Sequence, residues 1–140
     1  MQKPEISGNR ITIPSNHEFL SDVDMFIEGI LRGYGADESI IADIAISVSE
    51  LVNNAISHGN AQNEGKKVIV EIDKNSDKVS ISVLDEGTGF NPNSLDDPLA
   101  EENLLKEVGR GIFIVKSLMD SVDIIPSPRG TKITMTKTIK

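Results

Sequence analysis

Cysteine and tryptophan are absent from the chain, and histidine occurs only twice, at His17 and His58. Without cysteine there is neither a disulfide framework nor a thiolate metal site, and two imidazoles are too few for a zinc or iron hydrolase centre. Positive charge is also scarce, with 14 Lys and Arg against 22 Asp and Glu for a formal net charge of -8. Nucleic acid and anionic lipid would both be repelled, so the expected partners are proteins or small molecules. No uninterrupted apolar run approaches ~18 residues, and Met1 to Gly8 lacks the apolar core of a signal peptide. Together with the missing cysteine, this leads to the expectation of a cytoplasmic protein outside the membrane.

A chain of 140 residues that is 38% hydrophobic suits one domain with one core. Residues 1–9 are expected to be a flexible lead-in. Arg10 to Pro14 reads as an edge strand ended by proline, and Ser15 with Glu18 as a capping box. A helix then follows, carrying Phe19, Val23, Phe26, Ile27, Ile30 and Leu31 at helical spacing as far as Gly33. Phe19, Phe26 and Ile30 are read as core, with a homodimer contact as the alternative.

Asp37 opens the second helix. Its apolar side gathers Ile41, Ile44, Ala45, Val48, Leu51, Val52, Ala55 and Ile56, and its other side Asp43, Ser47, Glu50, Asn53, Asn54 and Ser57. Solvated helix faces usually carry lysine, arginine and glutamate. This one has no lysine or arginine and places asparagine and serine mid-helix, where they form helix poorly. Val68 to Asp73 and Val79 to Asp85 alternate as a hairpin with Val68, Val70, Ile72, Val79, Ile81 and Val83 inward. Asn91 to Val108 is acidic, proline-punctuated and too long for an ordinary connection, which predicts a mobile lid. A helix from about Gly111 to Met119, a strand from Val122 to Ile125, a turn over Pro126 to Gly130 and a strand from Thr131 to about Ile139 complete the chain. The expected fold is α+β, a two-layer sandwich with helices on one face of a mixed, mostly antiparallel sheet.

Asp85 is in step with Val79, Ile81 and Val83, so the inward face of that strand ends in a carboxylate that needs a partner. Gly87 and Gly89 come directly after it and let a flat ligand approach the main chain closely. Gly109-Arg110-Gly111 is predicted to open a helix, whose first amides would suit a phosphate. Glu50 and Asn54 are four residues apart and therefore neighbours on one helix face. Magnesium takes hard oxygen ligands and keeps several waters, which makes the Asn54 amide oxygen a candidate ligand and Glu50 a candidate general base. His58 and Asn53 read as local structure at this helix end.

SELVNNAISHGN (Ser49 to Asn60), LDEGTGF (Leu84 to Phe90), GRGIFIVKSLMD (Gly109 to Asp120) and RGTKITM (Arg129 to Met135) resemble, in order and spacing, the N, G1, G2 and final glycine-threonine boxes of the Bergerat-fold ATPases. That superfamily groups gyrase, the heat-shock chaperone, mismatch-repair ATPases and histidine kinases. The short chain, its N-box helix and LMDSVDI are most similar to the bacterial anti-sigma-factor serine/threonine kinases. The resemblance implies that Asp85 accepts a hydrogen bond from adenine with Thr131 in support. It implies that Asn54 binds magnesium, that Glu50 is the base, and that Gly87, Gly89, Gly109 and Gly111 shape the nucleotide loops. Arg110 near the phosphates extends that pattern. It implies ATP as phosphoryl donor, a serine on an antagonist protein as acceptor, and a sigma factor as a second partner.

Gly59 to Lys67 is no P-loop, because its glycines are six apart rather than five and no serine or threonine follows the lysine. Autophosphorylation on histidine would need a separate dimerising hairpin carrying the acceptor. A nucleotide-gated binding module without phosphoryl transfer is the alternative function.

Overall fold

The computed structural model of the chain describes residues 3–60, 63–87 and 102–139, with residues 102–108 as backbone only. In chain order the elements are β1 (Glu5–Ser7), β2 (Arg10–Pro14), α1 (Leu20–Gly33), α2 (Glu38–Asn54), β3 (Lys67–Asn75), β4 (Lys78–Leu84), α3 (Glu102–Leu118), β5 (Ser121–Ser127) and β6 (Gly130–Thr138). The strands form one sheet in the order β1-β2-β3-β4-β6-β5. Every pair in it is antiparallel, so no parallel pair occurs among the described residues.

Period-two patterning puts the inward residues in cross-strand rows. One row runs Ile11, Val70, Val83, Ile133 and Ile124, and the next runs Ile72, Ile81, Met135 and Val122. Against this face α2 lays Ile41, Ile44, Val48, Leu51 and Val52, and the turn after it adds Ala55 and Ile56, all buried. Ala45, expected among them, is half-buried. Helix α1 contributes Val23, Ile27 and Leu31 on one side of α2, and α3 contributes Ile112 and Val115 on the other. Phe19, Phe26 and Ile30 are partly buried against the same core. The opposite sheet face presents Glu71, Ser80, Ser82, Thr134 and Thr136, which makes this a two-layer α+β sandwich.

Several local expectations need correcting. Arg10–Pro14 is not an edge, because Glu5–Ser7, inside the expected flexible lead-in, pairs with it through Ile6↔Ile11. Asn16 caps the 3-10 turn His17–Phe19 that leads into α1, its Oδ1 accepting from the Glu18 N–H at 2.9 Å, while Ser15 Oγ instead donates to the Lys66 carbonyl at 2.7 Å. Ser47, assigned to the polar side of α2, is buried and donates to the Asp43 carbonyl at 2.9 Å. Such i−4 bonding satisfies a hydroxyl inside the helix layer. The span Glu38–Gly59 is long and apolar enough to cross a membrane by length and composition, but its apolar face is the one the sheet covers.

The largest difference concerns α3. It begins at Glu102, so residues 102–108 of the expected lid are helical and the remainder of that lid lies outside the described residues. In the sequence, leucines 104 and 105 and valine 108 continue the spacing of Ile112 and Val115, and a sustained apolar stripe can carry two interior glycines at about 1 kcal/mol each.

Ile81 lies between Ile72 and Met135 and is fully buried. Ile81→Ala is expected to cost about 2–5 kcal/mol in chemical denaturation, whereas Ser80→Ala on the solvated face should stay within about 0.5 kcal/mol. Equal losses at the two positions would contradict this register.

Candidate functional site

Asp85 comes directly after β4 and keeps its inward register. The backbone reaches it from two directions. Its Oδ1 accepts from the Gly87 N–H at 3.0 Å and from the Thr131 N–H at 3.1 Å, and its own N–H donates to the Thr131 carbonyl at 3.0 Å. Burial raises the carboxyl above the ordinary aspartate range, and the Gly87 and Thr131 amides and nearby Lys66 only partly oppose this.

Close approach to Asp85 explains three glycines. A Cβ at Gly59 would overlap Asp85 Oδ2, one at Gly87 would overlap the Gly59 carbonyl, and one at Gly130 would overlap the Asp85 carbonyl. Gly130 also has φ +148, a backbone conformation side chains avoid. Leu51, Asn54, Ala55, His58, Gly59, Val83 and Ile133 join Asp85 around a mainly apolar recess that is almost closed, at about 10 Å³.

A wider cleft of about 430 Å³ adjoins it, sharing Asn54 and His58, and lined also by Glu50, Asn53, Ser57, Arg110, Gly111 and Ile114. Gly111 sits against the Glu50–Asn54 pair: a Cβ there would lie 2.9 Å from Asn54 Nδ2 and 3.2 Å from Glu50 Oε2. Asn54 Nδ2 is buried with no hydrogen-bond partner among the described residues. An unpaired amide of this kind costs stability and is a sign of a ligand's place.

Residues 13–137 match the histidine kinase-like ATPase domain. The chain belongs to this family. It is 33% identical to the serine-protein kinase RsbW of Staphylococcus aureus over 135 residues, covering 91% of this chain and 84% of that one. The crystal structure of the RsbU and RsbW domains of Rv1364c from Mycobacterium tuberculosis superposes with a TM-score of 0.71 at 25% identity, over 93% of this chain and 31% of that longer one. The histidine kinase domain of the Erythrobacter litoralis EL346 blue-light activated histidine kinase shares the fold, with a TM-score of 0.55 at 21% identity over 91% of this chain and 62% of that one.

Within this histidine kinase-like ATPase domain the structure brings together Glu50, Asn54, Arg110 and Gly111 in one cleft, and Asp85, Gly87 and Thr131 in the adjoining recess. Gly89 lies outside the described residues. Thr131 is buried and meets Asp85 through its backbone N–H. Gly109-Arg110-Gly111 does not open a helix but lies inside α3. The expected phosphate site at a helix start is therefore absent in this conformation, because those amides belong to the helix interior.

Two residues went unrecognised in the sequence. Asn60 is buried, with Nδ2 donating to Ser15 Oγ at 2.8 Å and to the Lys67 carbonyl at 2.9 Å, while Oδ1 accepts from the Glu86 N–H at 2.8 Å. It ties the end of the α2 region to β3 and to the Asp85 loop. His17 bridges Asn53 and Ser57 from the outside of the cleft. Nothing local in the sequence marks either role, because every partner is distant or out of pattern.

Asp85 has a raised pKa, so its contribution favours the fold at acid pH and is lost as pH rises through that pKa. Relative to the wild type, Asp85→Asn should therefore become progressively more stable between pH 4 and pH 7 in denaturant titrations. A stability difference that does not change with pH would show that the carboxylate carries no desolvation cost.

Proposed function

We propose that the chain is a magnesium- and ATP-dependent serine-protein kinase that phosphorylates a small antagonist protein and holds a sigma factor or comparable regulator on another face, in the cytoplasm. The observation that carries this reading is the Glu50–Asn54 pair facing a cleft that opens beside a recess ending in Asp85. The likeness to the serine-protein kinase RsbW over most of both chains supports phosphoryl transfer as the activity.

In this reading Asp85 accepts a hydrogen bond from the adenine amino group through the carboxylate edge nearest Gly59, the edge left over by Gly87 and Thr131. Gly87 and Gly130 keep the loops around that carboxylate bare of side chains, and Gly89 extends the same loop. The triphosphate extends past Asn54 into the cleft, where Arg110 supplies positive charge, Gly111 leaves room beside Glu50 and Gly109 flanks Arg110 in the same helix.

The residues fit a magnesium ion that arrives with the nucleotide. Among the described residues no group of three or more histidine, aspartate or glutamate side chains forms a cage of its own. An amide with an unpaired nitrogen stands at the cleft, and a 180° turn of that amide presents its oxygen there. Bound with ATP, the ion would neutralise phosphate charge. Glu50 accepts the proton of the incoming serine hydroxyl as its oxygen bonds to the terminal phosphorus and ADP departs.

A nucleotide-gated binding module without transfer is favoured by one observation, the α3 helix running through Gly109 and Gly111, since phosphate binding at those amides would require that turn to unwind. Glu50 separates the two readings. Glu50→Gln should lower phosphate transfer from labelled ATP to the antagonist protein by about 10²–10⁴-fold, with ADP affinity unchanged by calorimetry. Transfer at the wild-type rate would remove the kinase assignment of this residue, and absence of nucleotide binding by the wild type would remove the reading as a whole.

A further inference from the structure

His17 is exposed, yet both of its ring nitrogens are engaged by side chains of the α2 region. Nδ1 lies 2.8 Å from Asn53 Oδ1 and Nε2 lies 3.1 Å from Ser57 Oγ. An amide oxygen only accepts, so Nδ1 carries the proton, and in the neutral ring Nε2 accepts from the Ser57 hydroxyl. The turn bearing His17 is itself anchored: Ser15 Oγ donates to the Lys66 carbonyl, and Asn16 Nδ2 donates to Glu64 Oε1 at 2.5 Å. The ring is thus a fixed strut between the β2–α1 connection and the last turns of the cleft helix.

Asn53 is the neighbour of Glu50 one helical turn on, and both line the cleft. Because its oxygen is committed to His17, the amide keeps both Nδ2 donors for the cleft. The adenine recess lies toward Asp85 and Gly59, so the cleft segment beside Glu50 is where the end of the triphosphate comes to rest. Resting on the kinase reading above, we propose that Asn53 donates a hydrogen bond to the terminal phosphate of ATP, and that His17 is a positioning residue that sets the Asn53 amide for this contact. Ser57 closes the same strut and holds the ring from its other nitrogen. The site thereby distinguishes a triphosphate from a diphosphate.

The test is calorimetric titration, with magnesium present, of ADP and of the non-hydrolysable analogue AMP-PNP against wild type, His17→Ala, Asn53→Ala, the double variant and Asn53→Asp. A charge-assisted hydrogen bond lost without loss of fold predicts about tenfold weaker AMP-PNP binding in each single alanine variant, with ADP affinity unchanged. The double variant should be no worse than Asn53→Ala, because His17 acts through Asn53. Asn53→Asp keeps the acceptor for His17 but replaces the donors with a charge that repels phosphate, so it should retain the melting temperature and ADP affinity while losing more AMP-PNP affinity than Asn53→Ala. A wild-type ratio of AMP-PNP to ADP affinity in Asn53→Ala would overturn the phosphate contact. Multiplicative losses in the double variant would overturn the positioning role. Failure of the wild type to bind either nucleotide would instead overturn the parent reading.

Discussion

A carboxylate at the end of an apolar strand face is the constraint on which the rest of this site depends. Val79, Ile81 and Val83 point into the core, and Asp85 continues their register. Burying a charge there is costly unless donors reach it. Among the described residues the donors that reach it are backbone amides, supplied by Gly87 and Thr131, and they occupy a single oxygen. Side chains at Gly59, Gly87 and Gly130 would collide with this arrangement or its immediate surroundings, so the carboxylate dictates the glycines. The second oxygen lies against Gly59.

Helix α2 performs two tasks with two faces. Its apolar face covers the sheet and anchors the layer, while Glu50, Asn53 and Asn54 look into the cleft. The helix does not stop after Asn54 but widens into a π turn over Ala55–Gly59. Such widening recurs at functional sites, where it re-aims the residues beyond it. Here it delivers Gly59 to the Asp85 side chain and Asn60 to the Ser15, Lys67 and Glu86 backbone and side-chain groups. The recess and the cleft are held in mutual register by that one turn and by the Asn60 amide.

Helix α3 shows the opposite economy. It contains Gly109 and Gly111, residues that weaken a helix, at the place where Gly111 touches Glu50 and Asn54. The nearly closed recess beside Asp85 and the wider cleft beside Gly111 belong to one conformation.

Much of this was legible in the sequence because it rests on periodicity. The α+β class, both central helices, the β3–β4 hairpin, most inward residues and the inward register of the half-buried Asp85 all derive from 3.6- and 2-residue repeats that bury apolar atoms, and Glu50 and Asn54 were neighbours by helical spacing alone. What the repeats could not carry was decided by contacts between distant segments. Asn60 and His17 take their roles from partners 7 to 45 residues away in the chain, which no local pattern encodes. The N-cap passed from Ser15 to Asn16 because Ser15 was claimed by Lys66. Gly109 and Gly111 were expected to open a helix and instead lie inside one, whose apolar stripe, including Ile112 and Val115, packs on the core. Local sequence thus determined which atoms had to leave water and which charge would go with them, whereas only the tertiary structure decided which polar groups were close enough to meet that charge.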